Sequence, residues 1–225
     1  MANHRIDVLI LNAGVYQLEP ALSTSMETTQ YLLRVNFESP VALATQVIRQ
    51  DDWKSRGSGQ IVAVTSLVAR GPQSLTSSYA ASKAALWNYL FTLSTEEAEW
   101  LQVNVALPGA TRTNLWDSLD TGTTNTNNAK ANKRARDEVK MSPQRVAQLI
   151  LTGAAGPSLL FYEMFITKPI GLVWVYLSLY TPNLFHILVH VIGYIRVQLW
   201  NQTGSDTLDV PTLLKSTIDM LMRRL

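Results

Sequence analysis

A tyrosine and a lysine stand one helical turn apart in the segment Tyr79-Ala80-Ala81-Ser82-Lys83. In a helix this spacing places both side chains on one face, where the ammonium favours the charged form of the phenol. At about 4 to 5 Å and an effective dielectric of about 20, the attraction is worth roughly 3 to 4 kcal/mol. The pair therefore predicts a Tyr79 pKa lowered enough for proton exchange near neutral pH, although surface helices carry the same spacing.

Short apolar runs predict the strands that must position this helix. Val8–Leu11 is a continuous apolar run closed by a turn, which favours a strand buried on both faces of a parallel sheet. Further strands are predicted at residues 60–66, 103–107 and 159–166, and helices at 26–35, 37–50, 77–100 and 143–151. This alternation predicts an α/β fold with a parallel sheet and right-handed crossovers.

Short motifs follow the ends of the predicted strands, and one further polar residue lies within a helix. They are Asn12-Ala13-Gly14 after the first strand, Asn36 within a helix, Ser66 ending the second strand, and Pro108-Gly109 with Thr111 and Thr113 after the third. Taken singly, Ser66 is typical of a strand-end turn and Asn36 of a polar residue that distorts a helix. Taken together, the spacing predicts that Ser66, Tyr79 and Lys83 converge on one cleft at the C-terminal rim of the sheet.

In order and spacing, these residues resemble the short-chain dehydrogenase/reductase family between residues 6 and 151. The resemblance implies a Rossmann-like doubly wound sheet and an NAD(P)-dependent oxidoreductase that transfers hydride between nicotinamide and a small-molecule carbonyl or alcohol. It implies that Tyr79 is the general acid or base and that Ser66 hydrogen-bonds the substrate oxygen. Lys83 would lower the Tyr79 pKa and bind the nicotinamide ribose, and Asn36 would hold a water that relays protons to Lys83.

The resemblance also implies a set of contacts to NADP or NAD. Asn12, Ala13 and Gly14 would line the adenosine side, and the nicotinamide end would meet Tyr79, Lys83, Pro108, Gly109, Thr111 and Thr113. The family's Gly-rich turn, whose backbone amides hold the pyrophosphate, has no counterpart after any predicted strand. The chain is therefore expected to begin at the family's fourth strand and to lack the first three, which leaves Val8–Leu11 as an exposed edge.

Two functions remain open at this point. One is an oxidoreductase whose sequence is incomplete here, and the other is a truncated, catalytically inactive, membrane-associated isoform that acts only by binding. An in-frame Gly-rich strand-turn-helix upstream of Met1 would favour the first.

Apolar residues concentrate between Ser158 and Trp200. Neither 170–180 nor 184–200 is a clean span of about 20 apolar residues, but both carry aromatic residues that suit a membrane interface. We expect a monotopic hairpin or amphipathic anchor, with burial in the core or in a homo-oligomer interface as the alternative. The chain then divides into a catalytic half at 1–157, a final strand with a membrane-associating segment at 158–200, and a tail at 201–225.

The hydrophobic tail and the helix after Ser142-Pro143 are similar to those of a membrane-bound subgroup of the family, found in the endoplasmic reticulum. That similarity implies an endoplasmic reticulum location and NADP-dependent reduction of lipophilic carbonyls such as retinoids and steroids. The polar segment 114–140 is expected to be a loop on the functional rim of the sheet.

Several kinds of site are excluded or unsupported. A formal net charge of +2, without interleaved basic and aromatic residues, argues against nucleic-acid binding. The absence of cysteine excludes disulfides and thiolate sites. His186 and His190 stand four residues apart without a third ligand at helical spacing, so no metal site is predicted.

Overall fold

A computed structural model describes residues 5–50, 52–71, 73–117, 140–156, 161–166, 173 and 182–203. At its centre is a sheet of four strands in the order β1-β2-β3-β4. The strands are β1 Val8–Leu11, β2 Gly59–Val64, β3 Leu101–Pro108 and β4 Phe161–Ile166. Every neighbouring pair is parallel, which confirms the parallel sheet predicted from the sequence.

Helices connect the strands. They are α1 Met26–Leu33, a π-helix at Arg34–Glu38, α2 Ser39–Gln50, α3 Trp53–Arg56, α4 Ser77–Glu96, α5 Pro143–Ala154 and α6 Pro182–Thr203, with 3-10 turns at Leu67–Ala69 and Asn114–Asp117. Ser142 caps α5 by accepting a hydrogen bond from the Arg145 backbone at 3.2 Å, as its sequence predicts. The helix expected over 77–100 ends earlier, at Glu96, because the Trp100 indole donates to the Glu97 carboxylate at 2.8 Å in a turn that leads into β3.

Both faces of the central strands are covered. On one face Ile61 and Val103 pack with residues of α2 and α4 such as Leu90. On the other face Val62 and Ala106 pack with Val146 and Ile150 of α5. Because side chains alternate along a strand, this two-sided burial explains the continuous apolar runs at Ile61–Val64 of β2 and Val105–Leu107 of β3.

The strand β1 is the edge of the described sheet. It pairs only with β2, and its Val8 and Ile10 side chains are 45% and 50% exposed. Residues before β1 are held by Trp53, whose fully buried indole donates to the Ile6 carbonyl at 2.7 Å. The parallel ladder pairs Leu11 with Ala63, so β1 ends at the same edge of the sheet as β2.

Parts of the predicted C-terminal organisation lie outside the described residues. These parts are the loop at 118–139, the apolar stretch at 170–180 apart from Val173, and the tail at 204–225. The apolar stretch at 184–200 is helical within α6. Across the residues that are described, no helix has both the length and the apolar character required to cross a membrane.

Candidate active site

Tyr79 and Ser66 meet at the carboxyl end of the sheet. Tyr79 lies in the first turn of α4 and is 5% exposed. Ser66 follows β2 by two residues and caps the next 3-10 turn, accepting a hydrogen bond from the Val68 backbone at 3.4 Å. The Ser66 side chain also lies close enough to the Tyr79 phenol to lower the pKa of that phenol. The end of one strand and the start of one helix thus bring together two side chains that are thirteen positions apart.

The electrostatics of Tyr79 differ from the prediction. Burial raises the pKa of Tyr79 to about 12, and the Ser66 side chain opposes that rise only in part. The expectation of a pKa lowered by Lys83 is therefore wrong for this structure. The physical reason is desolvation, because a phenolate that is shielded from water loses more solvation free energy than a neighbouring hydroxyl restores. At neutral pH the phenol carries its proton.

Lys83 lies one turn after Tyr79 and is 4% exposed. Its Nζ donates a hydrogen bond to the backbone carbonyl of Val64, the last residue of β2, at 3.1 Å. Burial lowers the pKa of Lys83 to about 8 because the ammonium is removed from water. The Val64 carbonyl therefore fixes a cationic group at the same end of β2 that Ser66 follows.

Asn36 joins the segment after β1 to α4. It is fully buried in the π-helix, and its Nδ2 donates to the Val15 carbonyl at 2.9 Å and to the Ser82 hydroxyl at 3.0 Å. Its Oδ1 accepts from the Val15 backbone N–H at 2.9 Å. These bonds hold the backbone beside Gly14 against α4.

Gly14 lies where these groups come closest. A β-carbon there would lie 3.1 Å from Lys83 Nζ and 3.2 Å from Asn36 Oδ1. Both distances are tighter than ordinary packing, so glycine keeps open the space between the ammonium and the amide oxygen. The structure thus brings Asn36, Gly14 and Lys83 together, as well as Ser66 and Tyr79.

These side chains open onto a cleft of about 1090 Å³. Its lining includes Ser66 and every residue expected to contact the cofactor, namely Asn12, Ala13, Gly14, Tyr79, Lys83, Pro108, Gly109, Thr111 and Thr113. Asn36 lies behind this lining, fully buried. A cleft of this size suits a small-molecule site, and it lies at the carboxyl ends of parallel strands, where open α/β sheets bind ligands.

Several residues of the cleft were not anticipated from the sequence. The ring of Tyr16 meets the ring of Tyr79 edge-on, with centroids 4.9 Å apart. Gln17 is fully buried, and its Oε1 accepts from the Tyr79 backbone N–H at 3.5 Å. The far wall is formed by Val146 and Ile150 of α5 and by residues of α6, including Arg196. The sequence contained one indication of this wall, because Arg196 is a cation inside an apolar stretch, and a buried cation needs a polar partner.

Metal chemistry has no support in the part of the chain that the structure describes. There, no group of three or more His, Asp or Glu side chains could hold an ion. His190 is exposed on α6, and the side chain of His186 lies outside the described residues.

The family model described as short chain dehydrogenase matches residues 2–124. The chain belongs to the short-chain dehydrogenase/reductase family. The match covers the strand-end residues, Asn36, Ser66, Tyr79 and Lys83, so the cleft described above is the part of the molecule that carries the family pattern. Members of this family are NAD(P)-dependent oxidoreductases of small molecules, and the Rossmann-like parallel sheet agrees with that membership.

Curated relatives include two proteins named dehydrogenase/reductase SDR family member 7B. The one from Danio rerio is 30% identical over 167 residues, covering 70% of this chain and 53% of the relative. The one from Xenopus tropicalis is 29% identical and covers 80% of this chain and 56% of the relative. These relatives support a resemblance to dehydrogenase/reductase family member 7 and its relatives. The chain spans about half the length of these relatives.

Another relative is 11-beta-hydroxysteroid dehydrogenase-like 3 of Arabidopsis thaliana, 33% identical over 49% of this chain and 35% of the relative. Among solved structures, a short chain dehydrogenase/reductase family protein aligns with a TM-score of 0.55 at 25% identity, over 72% of this chain and 65% of the other. A short chain dehydrogenase from Burkholderia cenocepacia J2315, in complex with NADP, aligns with a TM-score of 0.62 at 19% identity, over 82% of this chain and 68% of the other, which shows the shared fold.

Proposed function

We propose that the cleft performs the proton-transfer part of an NADP-dependent interconversion of a carbonyl and an alcohol. The observation that carries this proposal is the closeness of Ser66 to Tyr79, whose pKa it lowers, with Lys83 one turn further along α4 than Tyr79. Each of the three lines the same cleft at the carboxyl end of the sheet. A surface helix would not bury both Tyr79 and Lys83 beside one cavity.

The chemistry follows from the protonation of Tyr79. With its pKa at about 12, the phenol is a proton donor at neutral pH, which suits reduction of a carbonyl. The Ser66 hydroxyl is placed to hydrogen-bond the same substrate oxygen and so to orient it toward the phenol. As negative charge develops on that oxygen, the Tyr79 proton moves to it, and the Lys83 ammonium one turn away favours the phenolate that is left.

The residues present fit the nicotinamide end of the cofactor. Gly14 leaves space beside the buried Lys83 ammonium, and the turn from Pro108 to Thr113 lines the facing wall of the cleft. When bound, NADPH supplies the hydride. Lys83 would hold the ribose hydroxyls, and Asn36 Oδ1 could accept one further hydrogen bond from a water relaying protons to Lys83. A protein with the same fold is seen in complex with NADP, which agrees with a cofactor of the NAD(P) class.

The substrate that we propose is a lipophilic ketone or alcohol of the steroid or retinoid type. Support comes from the apolar wall of Val146 and Ile150 and from the similarity to a protein named as a hydroxysteroid dehydrogenase. We also propose that the segment 158–200 associates with the endoplasmic reticulum membrane. Tyr194, 47% exposed on α6, is an aromatic residue available for that contact.

The second function that the sequence leaves open is binding without turnover. The 225 residues contain no Gly-rich turn after a strand, so the charge-assisted backbone contacts that normally hold the pyrophosphate are missing from them. Each tenfold loss of affinity corresponds to only about 1.4 kcal/mol, so the loss of several such contacts should leave NADPH unbound at practical concentrations.

NADPH titration separates the two functions. We expect no measurable binding to the folded 225-residue chain, and binding with carbonyl reduction by an extended form, defined as these residues preceded by a Gly-rich strand-turn-helix. Calorimetry measures binding, and NADPH absorbance measures turnover. Micromolar binding by the 225 residues alone would show that other surfaces replace the missing contacts. If an extended form binds NADPH but reduces no carbonyl, the oxidoreductase function is excluded and binding without turnover remains.

A further inference from the structure

We infer that α6 forms the substrate-end wall of the cleft, that Gly193 determines how closely this wall approaches, and that Arg196 is a positioning residue for the catalytic helix. The inference rests on the proposed function for the identity of the ligand. It assigns to α6 a role in the active site beyond the membrane association proposed for its segment. The membrane role and the active-site role use different faces of the same helix.

The two faces of α6 are distinct. Ile195 and Arg196 are 1% and 6% exposed, whereas the adjacent Tyr194 is 47% exposed. Val189, Ile192, Gly193 and Arg196 line the cleft. Residues at this spacing share one side of a helix, so this side of α6 faces the cavity over residues 189–196. A charged group that is almost fully buried in this wall requires a local polar partner.

That partner is the loop before α4. Arg196 Nη1 donates a hydrogen bond to the Ser74 carbonyl at 3.0 Å. A β-carbon on Gly193 would overlap the Ser74 hydroxyl, so glycine is what permits this close approach of α6 to the loop. Two residues one turn apart on α6 therefore contact one residue of the loop, which makes Ser74 the point of attachment between the C-terminal helix and the catalytic half.

The attached loop is strained and leads directly to the catalytic tyrosine. Leu75 has a φ of 70°, a left-handed conformation that is unfavourable for a residue with a branched side chain. Its carbonyl accepts from the Glu19 backbone N–H at 2.8 Å. Such a conformation persists only where the surroundings fix it, and α4 begins two residues later, at Ser77. The hydrogen bond from Arg196 to Ser74 is one of the contacts that fix it.

The same wall indicates the ligand. Val189 and Ile192 of α6 and Val146 and Ile150 of α5 line the cleft, and Tyr79 lines it as well. Burial of apolar surface between two helices favours an extended apolar molecule with one oxygen that can reach the phenol. The probe we choose is progesterone, which is a rigid apolar ketone.

The test uses the full 225-residue chain and needs no turnover. Hydrogen exchange of residues 73–80 and equilibrium dialysis of progesterone are measured for Arg196→Met, Arg196→Lys and Gly193→Ala, with Tyr194→Ser as the matched control on the exposed face of α6. Removal of a hydrogen bond to a charged group should weaken progesterone binding about tenfold in Arg196→Met and raise exchange at 73–80. In progesterone binding and in exchange at 73–80, Arg196→Lys should lie between Arg196→Met and the unmodified chain, because an ammonium can still donate to the Ser74 carbonyl. Gly193→Ala should weaken binding, and Tyr194→Ser should change neither quantity.

Other results overturn the inference. If Arg196→Met and Gly193→Ala bind progesterone like the unmodified chain, α6 is not the wall of the site. If progesterone does not bind the unmodified chain, the ligand class is wrong. If the variants fail to fold, the unmodified chain still tests whether α6 is the wall. Bound progesterone must then slow exchange across residues 188–198, and unchanged exchange there overturns the inference. Failure of the proposed function has a separate signature, which is turnover that survives Tyr79→Phe in the extended form.

Discussion

Replacement of Lys83 by methionine should abolish a rise in stability that the unmodified chain shows between about pH 7 and pH 10. The folded chain holds Lys83 with a pKa of about 8, below the ordinary value of 10.5, because burial removes the ammonium from water. Between these values the unfolded chain binds more protons than the folded chain. The free energy of unfolding therefore increases with pH across this interval.

The magnitude follows from the two pKa values. The gap between about 8 and 10.5 corresponds to about 3 kcal/mol of destabilisation below both values. Most of that penalty is removed by pH 10. Tyr79 slightly opposes the rise in stability with pH. Its pKa is raised from 10.0 to about 12, so it contributes stability that is present below pH 10 and is lost above pH 10. The net rise from pH 7 to pH 10 is about 2 kcal/mol.

Guanidinium unfolding at several pH values, followed by tryptophan fluorescence, measures this rise. The unmodified chain should gain about 2 kcal/mol, and Lys83→Met should lack that gain. Lys54→Met is the matched control, because the Lys54 side chain is 70% exposed in its ion pair with Glu97. The reasoning fails if Lys83→Met keeps the pH dependence of the unmodified chain, since the ammonium would then be solvated rather than buried.

Two further substitutions test the site. Gly14→Ala should cost about 1 to 3 kcal/mol in thermal unfolding, because its β-carbon would press on Lys83 Nζ and Asn36 Oδ1; an unchanged melting temperature would show that this space is loose. Ser66→Ala removes the hydroxyl that lowers the Tyr79 pKa, so turnover of the extended form should fall about 10²-fold and its upper pH limit should rise. Turnover and a pH profile like those of the unmodified protein would exclude this role.

The sequence was sufficient to predict that Ser66, Tyr79 and Lys83 converge on one cleft. Ser66, Tyr79 and Lys83 could be placed because a strand end and a helix spacing are local features that do not depend on distant packing. Asn36 was expected within a helix, and the structure shows why a polar residue is tolerated there. It lies in a π-helix, and its amide satisfies the backbone of Val15.

The direction of the Tyr79 pKa could not be predicted from spacing. The prediction counted one nearby cation but not the solvent removed by Tyr16 and the surrounding core, which depends on contacts between distant segments. The role of α6 was missed for a similar reason. An apolar, aromatic stretch indicates that a surface must be covered but not what covers it, and only the position of Arg196 against Ser74 shows the contact.

The helix end at Glu96 shows a third limit. The periodicity over 77–100 continues past the helix, and a side-chain bond between Trp100 and Glu97 forms the turn into β3. Helix boundaries depend on such individual bonds, whereas the existence of the helix depends on its repeated pattern.

The most direct test of the proton-transfer assignment is the turnover of Tyr79→Phe in the extended form, with NADPH binding measured on the same sample. The substitution keeps the ring that packs on Tyr16 and removes only the hydroxyl whose pKa Ser66 lowers. We predict that carbonyl reduction falls by about 10² to 10⁴-fold while NADPH affinity falls far less, because the other residues that line the cofactor end of the cleft are kept. Carbonyl reduction at the rate of the unmodified protein would contradict the assignment of Tyr79 as the proton donor.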